Sequence, residues 1–221
     1  MFADRDEAGL LLAERLAKLS LADPVVLALP RGGVPVGAQI AKRLRAPLDV
    51  AFVRKLGAPD QPELAIGAVA YGESPEIVLN PSVVEALGLT EDFIAASAAR
   101  ELTVISRRRE EYAAVRAEIS PKGRSVIIVD DGVATGMTMQ AALRSVRNAQ
   151  PARVIAAVPV ASPDAVTMLR QEADDVVCLS APRSFHAVGS FYRAFDQVSD
   201  EDVVTLLREA AARASYFADE A

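Results

Sequence analysis

The sequence of 221 residues contains a single cysteine, a single histidine and no long uninterrupted hydrophobic run. One cysteine (Cys178) excludes an internal disulfide bond, which is typical of proteins from a reducing compartment. No apolar run approaches the roughly 18 residues that a membrane-spanning helix needs. The N-terminal segment is too charged to resemble a signal peptide. These absences predict a cytoplasmic protein without a membrane partner.

The chain also has fewer basic than acidic residues. The chain has 24 Lys and Arg residues against 30 Asp and Glu residues, a formal net charge of −6. Domains that grip a nucleic-acid backbone usually carry a basic excess, so no nucleic-acid partner is expected. A local phosphate site is not excluded, because a few Arg, Lys and backbone N–H groups suffice for one. The length fits a single domain over residues 1–221.

Short apolar runs alternate with amphipathic segments along the chain. The runs that predict buried strands are 25–29, 48–53, 126–129, 154–160 and 176–179. Helical patterns lie between them at 35–44, 138–148 and 163–171. This alternation predicts an α/β fold with a mostly parallel, twisted sheet flanked by helices, and a core over about 20–180. Ligands of such sheets bind beyond the carboxyl ends of the strands.

Other segments flank this predicted core. Residues 54–63 are rich in Gly, Pro and charge and are typical of a mobile loop. Residues 64–70 and 76–79 predict a β-hairpin. A long helix is expected from Thr90 to about Val115, in which the charged run 107–111 is typical of a solvated face.

The C-terminal part begins with an irregular stretch and ends in a helix. Residues 180–198 hold four of the eleven aromatic residues and form a candidate hood over the sheet edge. Ser199 and Asp202 have capping-box spacing, which predicts a final helix over about 200–216.

The segment with the strongest chemical signal is VIIVDDGVATGMT, residues 126–138. A buried strand is followed by two adjacent carboxylates, Asp130 and Asp131. A loop of small residues then leads into a helix N-terminus, where backbone N–H groups favour a phosphate. The carboxylates are suited to accept hydrogen bonds from sugar hydroxyls or to hold the waters of a Mg²⁺ ion.

Competing motifs fail at particular positions. Gly32 and Gly37 have the spacing of a nucleoside triphosphatase loop, but Ala38 stands where that motif needs Lys. The same stretch lacks the G-x-G-x-x-G fingerprint of dinucleotide-binding folds. A phosphoacceptor domain would place its acidic pair after the first strand, whereas this pair lies past mid-chain.

The segment 126–138 resembles the signature of type I phosphoribosyltransferases: four apolar residues, two acidic residues and a small loop ending in Thr-Gly-x-Thr. Leu29-Pro30-Arg31-Gly32-Gly33 is similar to the pyrophosphate loop of that family, and residues 54–70 are placed like its flexible catalytic loop. The resemblance covers residues 25–160. The whole chain is similar to a subgroup of the family whose acceptor is unassigned.

The resemblance implies a transferase of nucleotide metabolism. Such an enzyme moves ribose 5-phosphate from phosphoribosyl pyrophosphate (PRPP) to a nitrogenous acceptor, usually a nucleobase, releases pyrophosphate and uses Mg²⁺. Asp130 and Asp131 would bind the ribose hydroxyls and contact the metal indirectly, through water or ribose. The residues implied for the remaining PRPP contacts are Arg31, Gly32 and Gly33 at the pyrophosphate, and Ala134, Thr135, Gly136, Met137 and Thr138 at the 5-phosphate.

The catalytic loop and the hood supply the remaining candidates. Arg54 or Lys55 would cover the pyrophosphate when the loop closes and excludes water, although an exposed basic pair at a strand end is an open alternative. Phe185 and Tyr192, with their aromatic neighbours, are candidates to stack on the acceptor or simply to cover the sheet. Ala134 replaces the base-contacting Asp of 6-oxopurine transferases, which argues against hypoxanthine or guanine.

The sequence leaves three questions open. A non-catalytic regulatory protein that binds PRPP needs the same acidic pair, but it has no need of a closing loop. The acceptor remains unidentified, because hood loops vary on a fixed core. A homodimer is compatible with the sequence but is not specified by it.

Overall fold

The computed structural model describes residues 1–72, 74–113 and 119–219. The helices are α1 (Arg5–Leu16), α2 (Gly33–Leu44), α3 (Pro81–Ala86), α4 (Glu91–Ala113), α5 (Met137–Asn148), α6 (Pro163–Glu172) and α7 (Asp200–Asp219). The strands are β1 (Pro24–Ala28), β2 (Leu48–Val50), β3 (Val53–Ala58), β4 (Gln61–Ala70), β5 (Glu76–Leu79), β6 (Ser125–Val129), β7 (Arg153–Val160) and β8 (Asp175–Ser180).

The main sheet is parallel and has the strand order β2-β1-β6-β7-β8. Its central strands are buried on both faces, since alternate residues of a strand point to opposite sides. On one face Val26 and Ala28 pack with α1, α2 and α7. On the other, Val25 and Leu27 pack with α5 and α6. The predicted α/β class with a mostly parallel sheet between helices is confirmed.

A second, antiparallel sheet has the order β3-β4-β5. The predicted hairpin of 64–70 with 76–79 is confirmed by the β4–β5 pairing. One face of this sheet packs on α4 through Leu56, Ile66 and Ile105. Its other face packs on α5, so the small sheet is clamped between two helices.

The prediction of a mobile loop at 54–63 is wrong in its secondary structure. These residues form most of the β3–β4 hairpin, with Val53 opposite Ala70 and Ala58 opposite Gln61. The Gly and Pro residues that suggested a loop lie instead at register shifts beside Gly57 and at the hairpin turn. At the turn Asp60 adopts φ +60°, a conformation that Asp tolerates better than most residues.

The predicted single strand 48–53 is also corrected. The parallel strand ends at Val50, and the chain then crosses to the second sheet, where Val53 begins β3. A continuous apolar run concealed this change of sheet, because both sheets bury apolar side chains. Local pattern alone does not distinguish one buried strand from two short ones.

Helices α4 and α7 begin where their capping signals predict. The Phe93 amide donates to Thr90 Oγ1 at 3.3 Å, as expected for the start of α4, whereas its predicted end near Val115 lies outside the described residues. Ser199 Oγ accepts from the Asp202 amide at 3.0 Å, and Asp202 Oδ2 accepts from the Ser199 amide at 2.8 Å. The predicted capping box therefore opens α7. None of the described helices is both apolar enough and long enough to cross a membrane.

Candidate active site

Two loops meet at the carboxyl edge of the main sheet because β1 and β6 are neighbouring parallel strands. The Leu29 amide donates to the Val129 carbonyl oxygen at 2.8 Å. A Cβ atom on Gly33 would lie 2.6 Å from that same oxygen, and one on Gly32 would lie 2.0 Å from Asp131 Oδ2. The loop 29–33 therefore needs both glycines to approach the acidic pair. The Pro30–Arg31 peptide bond within it is cis.

The acidic pair itself is half-buried and held by hydrogen bonds. The Asp131 amide donates to Asp130 Oδ1 at 2.9 Å, and Arg5 Nε donates to Asp131 Oδ2 at 2.8 Å. Burial, with the neighbouring Asp131 charge, raises the pKa of Asp130 well above its ordinary range, while Lys55 opposes that rise. Burial also raises the pKa of Asp131 despite the opposing Arg5 contact. Both carboxylates would gain from a cation or from hydroxyl donors.

The loop that follows the acids is anchored from its far side. Val133 forms a parallel bridge with Ala161. Ser162 Oγ donates to the Ala134 carbonyl at 2.7 Å. Gly136 precedes α5 with φ +85°, and a side chain there would meet Met168 Cε at 2.2 Å. Glycine at this position therefore allows the tight turn that leads from the acidic pair into α5.

The residues predicted to hold a 5-phosphate are placed on this loop. Ala134 and Thr135 are exposed, and Met137 and Thr138 are half-buried in the first turn of α5. The first N–H groups of a helix lack partners within the helix, and Gly136 offers no side-chain cap. The arrangement can therefore present backbone donors and hydroxyls to an anion.

The structure separates the two basic residues of β3. Arg54 forms an ion pair with Glu101 of α4. Lys55 is exposed, and its charge acts on Asp130. Since successive strand residues face opposite sides, only one of the pair can serve the cleft. The Lys55 charge acts on Asp130, whereas Arg54 is tied to α4 through Glu101.

Arg31 and Arg108 both form ion pairs with Asp200. Arg108 belongs to the charged run 107–111, whose pattern predicted a solvated face. Arg31 Nη1 is 3.8 Å from Asp200 Oδ2, and Arg108 Nη2 is 3.7 Å from Asp200 Oδ1. Tyr112 Oη also donates to Asp200 Oδ1 at 3.4 Å. The cluster joins α4, α7 and the 29–33 loop. No local signal indicated Arg108, because its partners come from distant parts of the chain.

The hood contains an N-terminal segment that sequence reasoning missed. The Phe2 amide donates to the Phe191 carbonyl at 2.8 Å, and the Arg193 amide donates to the Phe2 carbonyl at 2.9 Å. Tyr192 is buried between these segments, with the Phe2 and Phe195 ring centroids 5.4 and 4.9 Å away. Its hydroxyl donates to the Asp131 carbonyl at 2.5 Å.

Aromatic packing therefore corrects the role suggested for Tyr192. A ring buried in this cluster offers no open face for an acceptor to stack on. Phe185 is half-buried against Phe191, with ring centroids 5.2 Å apart. His186 is exposed, and its Nε2 lies 3.2 Å from Ser184 Oγ.

A cavity of about 560 Å³ lies elsewhere, between the two sheets and helices α4 and α5. Its lining includes Leu27, Phe52, Tyr71, Arg109 and Ser145, but neither residue of the acidic pair. The convergence of two glycine-dependent loops, paired acids and a basic residue selects the sheet edge instead.

Comparison with known proteins agrees with this geometry. The sequence model of the family described as "Phosphoribosyl transferase domain" matches residues 5–196. The chain belongs to the phosphoribosyl transferase family. The family is described as a transferase domain.

Individual phosphoribosyl transferase relatives cover nearly all of the chain. Two proteins from Mycobacterium tuberculosis strains (CDC 1551 / Oshkosh and ATCC 25618 / H37Rv), both named "Putative phosphoribosyl transferase", are 48% identical over 210 residues. The match covers 95% of this chain and 47% of each relative, so the chain spans about half of their length. The crystal structure of TT1426 from Thermus thermophilus is 50% identical, with a TM-score of 0.80, and the match covers 95% of this chain and 99% of that one.

The donor set fits a magnesium ion carried with a substrate. The described residues contain no group of three or more His, Cys, Asp or Glu side chains arranged to hold a metal. Mg²⁺ commonly binds one or two carboxylates together with substrate phosphates and several waters. Two half-buried acids beside a loop that can present backbone donors to a phosphate are suited to that mode.

Proposed function

We propose that this protein transfers ribose 5-phosphate from PRPP to a nitrogenous acceptor of the nucleobase class and releases pyrophosphate. The observation that carries the proposal is the convergence of the 29–33 loop, the acidic pair and the 134–138 loop at one edge of the sheet. These three features supply separate binding groups for a diphosphate, a sugar rim and a terminal phosphate.

The proposed reaction breaks the bond between ribose C1 and the pyrophosphate oxygen, and the electron pair leaves with pyrophosphate. The lone pair of the acceptor nitrogen forms the new bond to C1. Positive charge develops on the sugar between these events. Asp130 and Asp131 accept hydrogen bonds from the ribose hydroxyls and stabilise that charge, so that orientation and electrostatics contribute most of the rate.

The anionic ends of PRPP have matching partners. Thr135, Thr138 and the start of α5 are suited to bind the 5-phosphate. Lys55 and Arg31 are suited to neutralise the leaving pyrophosphate, and Gly32 and Gly33 let its oxygens approach the backbone. Bound Mg²⁺ would neutralise diphosphate charge, with Asp130 and Asp131 holding it through water or ribose.

The first test is a screen of nucleobases and small amines with PRPP and Mg²⁺, which measures pyrophosphate release. We expect release with at least one acceptor. Asp131→Asn should weaken PRPP binding by about tenfold or more, since a charge-assisted hydrogen bond to the sugar is lost. A matched control is Asp164→Asn, at the exposed start of α6. Unaltered PRPP affinity in Asp131→Asn would rule out the proposed sugar site.

A regulatory protein that binds PRPP without turnover remains the second candidate. One observation favours it: the segment expected to close as a loop is a formed hairpin, and Arg54 is tied to α4. Lys55→Ala distinguishes the two candidates. A transferase should lose much more turnover than PRPP affinity, whereas a binding protein shows no turnover with any acceptor.

A further inference from the structure

Arg5, the first residue of α1, reaches into the acidic pair from the N-terminal segment. Its Nε donates to Asp131 Oδ2 at 2.8 Å, and its Nη1 donates to the Asp196 carbonyl at 2.8 Å. Its guanidinium carbon lies 3.8 Å from the centroid of the Phe195 ring. Only 12% of the Arg5 side chain is exposed. These contacts leave the guanidinium a single position.

The same contacts fix the carboxylate that Arg5 meets. Asp131 Oδ2 lies against Gly32 on one side, where even a Cβ atom would not fit, and against Arg5 on the other. The Asp131 backbone carbonyl is held by the Tyr192 hydroxyl. Asp131 is therefore held in its observed orientation by neighbours on two sides of its carboxylate.

The charges of the acidic pair are a second reason why an arginine is suited to the position of Arg5. Asp130 and Asp131 are adjacent carboxylates in a half-buried setting, so they repel each other and lose hydration. Lys55 acts on Asp130 from β3, and Arg5 acts on Asp131 from α1. A guanidinium is suited to this place because its planar fork binds a carboxylate and a carbonyl in fixed geometry.

We propose that Arg5 is a positioning residue of the sugar site, which holds the Asp131 carboxylate in the orientation that accepts the ribose hydroxyls. This inference rests on the proposed function. It makes the N-terminal segment part of the site, although Arg5 and Asp131 are 126 positions apart. Arg5 acts through Asp131 and does not itself contact the substrate.

The test compares two sugar phosphates by calorimetry: ribose 5-phosphate and its 2,3-dideoxy analogue, which lacks the hydroxyls that the acids would bind. The wild-type protein should prefer ribose 5-phosphate. In Arg5→Gln the preference should fall about tenfold, the scale of one charge-assisted hydrogen bond, while affinity for the dideoxy sugar stays the same. Arg5→Lys keeps the charge but loses the fork, so it should restore part of the preference.

Arg15→Gln is the matched control, because Arg15 lies exposed in the last turn of the same helix. Thermal unfolding of each variant shows whether it folds. If Arg5→Gln does not fold, the preference of Arg5→Lys for ribose 5-phosphate tests the positioning role. Three results in the Arg5 variants would each overturn the positioning role alone. These are an unchanged preference for ribose 5-phosphate, equal weakening of binding of both sugars, and tighter binding of ribose 5-phosphate. A wild-type protein that binds both sugars equally, or neither, would refute the ribose site and the proposed function as well.

Discussion

At the scale of single residues, the acidic pair is held in a setting that disfavours its charged form. Two neighbouring carboxylates have pKa values raised by burial, which means that their ionised forms are poorly solvated in the folded protein. Asp131 has Arg5 as a close ionic partner, whereas among the described residues Asp130 forms no ion pair within 4.0 Å and is acted on by the charge of Lys55. The two acids should therefore respond differently to neutralisation.

We predict that Asp130→Asn raises the free energy of unfolding at pH 7.5, while it weakens PRPP binding. The substitution removes a poorly solvated charge and the repulsion of Asp131. Asp131→Asn is the comparison variant and should gain no stability, because it leaves the Arg5 guanidinium without its carboxylate. Urea unfolding measures both values. A loss of stability in Asp130→Asn would contradict this account.

Gly32→Ala should damage the site through a direct clash. Its Cβ would lie 2.0 Å from Asp131 Oδ2, and that carboxylate is pinned by Arg5. We expect a stability loss of about 1–3 kcal/mol and a large loss of PRPP affinity. Gly88→Ala is the control, since its Cβ meets open space and its φ of +58° costs about 1–2 kcal/mol away from the site. Normal PRPP affinity in Gly32→Ala would contradict this account, because it would show that the 29–33 loop can move away from Asp131 without damage to the site.

At the scale of elements, one side chain joins a helix cap to the proposed phosphate loop. Ser162 caps α6 by accepting from the Ala165 amide at 3.1 Å, and its hydroxyl also donates to the Ala134 carbonyl at 2.7 Å. The Ser162 amide donates to the Val133 carbonyl at 3.0 Å. The position of the loop thus depends on where α6 begins.

Ser162→Ala should lower the free energy of unfolding by about 1 kcal/mol, the usual cost of a lost N-cap. It should also weaken binding of ribose 5-phosphate severalfold, because the loop loses an anchor. Asn80→Ala removes another cap, at α3, far from the sheet edge. Comparable stability losses with weaker binding only in Ser162→Ala would support the coupling. Equal binding in the two variants would argue against it.

At the scale of the whole molecule, ionic contacts between α5 and α6 make stability depend on pH. Arg144 Nη2 and Gln140 Nε2 both donate to Glu172 Oε1 at 2.6 Å. The Arg144 hydrogen bonds hold the pKa of Glu172 below its ordinary value of 4.5. An acid whose pKa is lowered in the folded state stabilises the fold above the unfolded pKa, and that contribution is lost as the pH falls through the folded pKa.

Glu172→Gln should therefore be less stable than the wild type at pH 7 by about 0.5–1 kcal/mol, a modest effect because Arg144 is substantially solvated. The difference should begin to shrink as the pH falls below about 4.5, where the unfolded carboxylate takes up a proton, and should be lost once the pH is below the lower pKa of the folded state. Urea unfolding at pH 7 and pH 3 measures it. Glu85→Gln, on the exposed surface of α3, serves as the control. A difference of the same size at both pH values would contradict the ionic origin.

The sequence by itself determined the elements and the chemistry of the central motif. Apolar runs bounded by Gly, Pro and capping residues predicted the parallel sheet, and the spacing of 126–138 placed Asp130 and Asp131 before a helix N-terminus. Such features are local, since periodicity, glycine sterics and capping act over a few residues. The same local rules misjudged 54–63, because strand pairing with β4 overrode the Gly and Pro signals.

Only the tertiary structure decided which distant residues complete the site. Arg5 reaches the sheet edge from the N-terminal segment and Arg108 from α4, and nothing in their own neighbourhoods distinguishes them from ordinary surface residues. The aromatic stretch did single out Tyr192, but its hydrogen bond to the Asp131 carbonyl forms only in the folded chain. The pairing of β3 with β4 places Arg54 against Glu101 of α4, while the charge of Lys55 acts on Asp130. Contacts of this kind follow from how packed elements bring remote segments together, which depends on the whole fold and is not encoded in any short stretch of sequence.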